Sequence, residues 1–99
     1  MFRLDEITKA AERCDRYAEF AERRAVQARH HAELALAEAE RERAEGRLGA
    51  ERIHRREATV HDGAAERQDA AAARQRELAA QMRAAISEDK EFASRYARA

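Results

Sequence analysis

Small residues recur along the first part of this chain in alternating steps of three and four: Leu4, Ile7, Ala11, Cys14, Ala18, Ala21, Ala25, Ala28, Ala32, Ala35 and Ala39. Leu4, Ala11, Ala18, Ala25, Ala32 and Ala39 fall at position a of a heptad, the others at d. A 3.5-residue period predicts an α-helix that keeps this stripe turned toward a partner helix, with left-handed supercoiling. Alanine at both core positions constrains the packing further. A buried alanine removes little apolar area from water, at roughly 25 cal/mol per Å². Such a seam holds only if the helix axes approach closely, so the sequence excludes a thick globular core.

The rest of the composition agrees with long helices. There is no proline and no tryptophan, and the glycines are Gly46, Gly49 and Gly63. Charged residues make up 40 % of the chain, twenty of each sign, and Ala, Glu and Arg dominate, the signature of a long helix or coiled coil. Acid-before-base pairs at i,i+4, namely Asp5–Lys9, Glu12–Arg16, Glu19–Arg23, Glu51–Arg55 and Glu91–Arg95, decorate the outer surface. Each is worth about 0.3–0.5 kcal/mol on an exposed helix.

The series stops at Glu42, and Gly46 and Gly49 follow. Beyond them a weaker series resumes: Ile53, Val60, Ala64, Ala71, Leu78, Met82, Ala85, Phe92 and Tyr96. A reversal at 46–49 gives two arms of similar length and brings together the bulky residues at the two chain ends. A reversal at Asp62–Gly63 would strand Leu4, Ile7, Tyr17 and Phe20. The expected fold is therefore all-α and a single domain over residues 1–99. It is a long antiparallel hairpin with a helix over 4–45, a turn at about 46–49 and a helix over 50–97. Candidate breaks lie at 61–63 and at Ser87. A second apolar edge at Ala10, Tyr17, Phe20 and Leu34 predicts that two hairpins complete one another as a homodimeric four-helix bundle.

Association is the function this pattern points to. The expected interaction residues are Leu4, Ile7, Tyr17, Phe20, Leu78, Met82, Ile86, Phe92 and Tyr96, acting on a second copy or on another protein. Cys14, at a d position, reads as a small buried apolar residue. A second class of reading comes from Glu51-Arg52-Ile53-His54. Glu-x-x-His projects a carboxylate and an imidazole from one helix face, the spacing used by helical carboxylate-bridged metal sites. Glu57 and His61 extend that stripe, and a hairpin brings His31 within about one turn of His61. The opposite arm offers Glu33 and Glu38 but no second Glu-x-x-His.

A third reading uses Arg47, Arg52, Arg55, Arg56 and His54 as a phosphate-binding cluster. Glu45, Glu51 and Glu57 dilute it, no aromatic residue is interleaved for base stacking, and the whole chain is neutral, so nucleic acid is a poor partner. The two serines, Ser87 and Ser94, form no nucleophile constellation with the histidines, and no glycine-rich loop exists. The sequence therefore predicts neither an enzyme nor a cofactor. No apolar run reaches membrane-spanning length and no leader is evident, so the expected location is cytoplasmic.

Overall fold

The computed structural model describes the backbone of residues 4–97 and the side chains of residues 4–91. Helix α1 spans Leu4–Ala44 and helix α2 spans Leu48–Ala97; the two are in contact as a hairpin, with no strand among the described residues. Helix α1 carries Asp5 and Glu6 in its first turn and Arg41 and Arg43 in its last, the arrangement that complements the helix dipole.

The reversal occupies Glu45–Arg47. Gly46 has φ of 77°, the left-handed conformation that L side chains resist. Its N–H donates to the Arg43 carbonyl at 3.0 Å, and the Arg47 N–H donates to the Glu42 carbonyl at 2.8 Å. These two bonds form a Schellman motif, which satisfies carbonyls left open by the helix end. The Arg47 carbonyl then accepts the first bond of α2, from the Glu51 N–H at 3.0 Å. Gly49, expected in the turn, belongs to the first turn of α2 instead.

The expected breaks at 61–63 and at Ser87 are absent, because α2 runs through both. An interior glycine costs a helix only about 1 kcal/mol, and packing on either side outweighs it. Ala58 and Ala65 flank Gly63 in the seam, and Ile86 is buried immediately before Ser87.

The chain divides into two compact units, one of residues 1–20 with 71–99 and the other of residues 21–70. In the first unit, Ala11, Cys14 and Ala18 of α1 are buried together with Ala72, Ala79 and Ile86 of α2. Cys14, Ala11 and Ala79 form one cluster, with Met82 packed against it. In the second unit, Ala21, Ala25, Ala32, Ala35 and Ala39 are buried on α1 and Ala58 and Ala65 on α2. Ala32, Ala35 and Ala58 cluster there. Ala28 is only half-buried.

Helix α2 does not use the stripe its bulky residues suggested. Ile53, Val60 and Leu78 are exposed. Its buried and half-buried positions include Glu51, His54, Ala58, His61, Ala65, Gln68, Ala72, Gln75, Ala79, Met82 and Ile86. This too is a three-four series. Four of its six a positions are alanine, and four of its five d positions are polar. At this close approach only a narrow strip is sealed from water, so a long polar side chain beside it keeps its head solvated while its stem packs. Nor does the α1 seam end at Ala39. It continues to Glu42, which occupies the next d position and is 8 % exposed.

Candidate functional site

The two flanks of the seam differ in chemistry, and they differ in the same way in both units. Position e of each helix borders one flank. In the first unit Arg83 donates to Asp15, and in the second Arg29 donates to Asp69; all four are e residues. Arg55, also at e, lies 3.6 Å from Glu40 across the hairpin. The guanidinium of Arg83 holds the Asp15 carboxyl below the usual range, and Asp69 raises the Arg29 guanidinium.

Positions g and c border the opposite flank. There the first unit exposes Tyr17, Phe20 and Leu78, and the second exposes Leu34, Ile53 and Val60. The neighbouring g positions of α2 are small, with Ala71 and Ala85 in the first unit and Ala64 in the second. A concavity opens on this flank of the first unit, lined by Ile7, Ala10, Arg13 and Met82 with Glu6 and Lys9. Another opens on the second unit, lined by Ile53, Glu57, Val60 and His61 with Arg56. Three exposed large apolar residues lie elsewhere, Val26 at b, Leu36 at e and Leu48 at e of α2's first turn.

The residues expected to mediate association are thus distributed unequally. Tyr17, Phe20 and Leu78 are on the open flank, while Leu4, Ile7 and Met82 are half-buried at its edge. Ile86 is 9 % exposed and belongs to the seam. The side chains of Phe92 and Tyr96 lie outside the described residues. Ile53 and Val60, read from sequence as seam, are instead on the open flank.

At the hairpin tip, in the second unit, charged groups gather around the end of the seam. Glu42 sits four residues before the left-handed Gly46 and Arg47 immediately after it. These two positions ordinarily share an apolar contact. Here the contact is ionic: Arg47 Nε donates to Glu42 Oε2 and Arg47 Nη2 to Oε1 at 3.3 Å. Arg47 also pairs with Glu45. Its hydrogen bond lowers the Glu42 carboxyl against the opposing effect of desolvation, and Glu42 raises the guanidinium in return. One turn earlier, Arg41 donates through Nε and Nη2 to Oε2 of Glu38, the former at 3.1 Å.

Glu38, Glu42 and His54 converge there, with donor atoms all within 4.8 Å of one another. His54 Nδ1 is 3.5 Å from Glu57 Oε2. Glu51, one turn before His54, has a buried Oε2 without a hydrogen bond, and Arg55 Nε lies 3.9 Å from it. Of the metal-ligating residues expected from sequence, His54 alone joins the trio. His61 packs on His31 instead, with ring centroids 5.4 Å apart. Of the other two ligands, sequence reasoning weighed Glu38 and missed Glu42, whose signal was a carboxylate at the next d position of an alanine series. The basic cluster at the tip is partly neutralised within the chain, since Arg47 and Arg55 both face carboxylates.

No helix among the described residues is long and apolar enough to cross a membrane. No protein-family model, curated protein or solved structure matches this sequence.

Proposed function

We propose that this chain is a non-enzymatic association module whose open flank, formed by positions g and c, docks on a second copy of itself. One observation carries the reading: in each unit one flank is latched by ion pairs while the other leaves large apolar side chains beside small ones. Alanines next to exposed Tyr17, Phe20, Leu34, Ile53, Val60 and Leu78 form the sockets and knobs that a further helix pair interlocks with. The seam itself supplies little stability, for no side chain larger than alanine is fully buried among the described residues. Pairing two hairpins into a four-helix bundle adds the missing burial.

Light scattering across a concentration series tests this. The expected mass is that of two chains, falling to one chain in the Ile53→Glu, Val60→Glu double variant. Val26→Glu, on the other flank, leaves the mass unchanged. A wild-type mass of one chain throughout the series overturns self-association. Loss of the dimer in Val26→Glu with retention in the double variant overturns the choice of flank.

A further inference from the structure

The tip cluster supports a second role, independent of how the open flank is used. We propose that Glu38, Glu42 and His54 bind one divalent transition-metal ion, with Glu51 as a further oxygen donor. Two carboxylates and one imidazole, leaving a position for water or a fourth ligand, are a donor set that suits zinc.

Geometry supports this first. Zinc holds oxygen and nitrogen donors at 2.0–2.2 Å, so tetrahedral donors stand about 3.4 Å apart. The trio already converges to within 4.8 Å, and modest side-chain rotation closes the difference. The three residues come from facing turns of two helices joined by a three-residue turn, so the chain holds them together without a ligand.

The surrounding groups also act as an outer shell. Metal-bound imidazoles commonly give their second nitrogen to a carboxylate. A metal on His54 Nε2 leaves Nδ1 facing Glu57, where the structure places it at 3.5 Å. Arg41 donates to Oε2 of Glu38, and Oε1 is the oxygen assigned to the metal. Arg47 engages both oxygens of Glu42, yet a carboxylate offers about four lone-pair sites, so guanidinium and metal can share it.

Glu51, one turn before His54, adds an oxygen donor beside the trio, its side chain 13 % exposed. Its buried Oε2 lacks a hydrogen bond, and a buried acceptor of that kind requires an explanation. An ion held by His54, one turn further along the same helix, would give that oxygen a closer cation than the Arg55 guanidinium, whose Nε stands 3.9 Å away. The Glu-x-x-His spacing, unremarkable as a string, therefore gains meaning from the two carboxylates that the hairpin brings opposite it.

The test is calorimetric titration of tag-free, chelator-treated full chain with zinc chloride, and in parallel with magnesium chloride. One zinc per chain is expected, with magnesium binding at least about tenfold more weakly because imidazole is a poor ligand for it. His54→Gln and Glu38→Gln should each weaken zinc at least tenfold while circular dichroism shows helicity retained. Glu57→Gln should weaken it roughly ten- to a hundredfold, as loss of an outer-shell partner does. His61→Ala should leave it unchanged. Absence of stoichiometric zinc overturns the proposal. So does dependence on His61 rather than His54, which would assign the metal to the His31–His61 pair, or magnesium binding as tight as zinc. If a tip variant does not fold, zinc-dependent protection of the wild-type tip from hydrogen exchange, confined to residues 38–57, replaces it. Protection confined instead to the His31–His61 region, or none, overturns the assignment.

Discussion

Gly46 and Gly49 look equivalent in the sequence and have opposite consequences. Gly46 is left-handed at φ 77°, whereas Gly49 is helical, with nothing within 4 Å of where its Cβ would stand. Gly46→Ala is expected to destabilise by about 1–2 kcal/mol, the cost of placing an L side chain in that region. Gly49→Ala should be neutral or stabilising by a few tenths to about 1 kcal/mol. Urea unfolding of both variants checks the pair, and equal effects would disprove this account of the turn. Two ion pairs also set an acid limit. Arg47 depresses Glu42 and Arg83 depresses Asp15, so the stabilisation from both is present above the unfolded carboxylate range. It is lost as pH falls through their folded values. The melting temperature is expected to drop between neutral pH and the acid side of the carboxylate range. Asp15→Asn combined with Glu42→Gln should be less stable at neutral pH and show a flatter profile. An unchanged profile in that double variant would remove these carboxylates as the cause.

At the scale of the helix, the two arms were not equally legible. The α1 seam was readable because small residues alone fill every third and fourth position from Ala11 to Ala39. The α2 seam was not, because apolar size is the usual guide and here it misleads. Ile53, Val60 and Leu78 drew the stripe toward g and c, while Ala58, Ala65, Ala72 and Ala79, paired with His54, His61, Gln68 and Gln75, were the residues turned inward. An alanine seam excludes bulk from its own centre, so in α2 Ile53, Val60 and Leu78 are displaced to the flank, while Met82 and Ile86 enter the seam only toward its far end. Glu42 escaped attention for the related reason that a carboxylate in a core position reads as the end of a core. The same physics separates two substitutions. Ala25, fully buried, should resist enlargement: Ala25→Leu is expected to cost about 1–3 kcal/mol through overpacking. Gly63→Ala should stabilise α2 by up to about 1 kcal/mol, since the new methyl meets only the flexible end of Arg67 at 3.4 Å. Thermal melts of the two single variants, shifting in opposite directions, would confirm a tight seam with a tolerant outer face. A stabilised Ala25→Leu would show that the axes have room to separate.

For the molecule as a whole, the question is what an alanine core leaves unfinished. A buried methyl contributes about 0.8 kcal/mol, so the hairpin's own seam is a modest source of stability. Ion pairs on the e flank add little more, because exposed pairs are typically worth less than about 1 kcal/mol each. Tyr17, Phe20, Leu34, Ile53, Val60 and Leu78, which would ordinarily supply the rest, are on the surface, on the flank opposite the Asp15–Arg83 and Arg29–Asp69 pairs. If a second copy covers them, folding and association are linked, and the melting temperature must rise with protein concentration. The expected signature is a reproducible increase over a hundredfold concentration range for the wild type, abolished in the Ile53→Glu, Val60→Glu double variant. High salt distinguishes the two flanks. It should weaken the Asp15–Arg83 and Arg29–Asp69 latches while leaving, or strengthening, an apolar interface. A dimer that dissociates as salt is raised would place the interface on the charged flank and reverse the assignment.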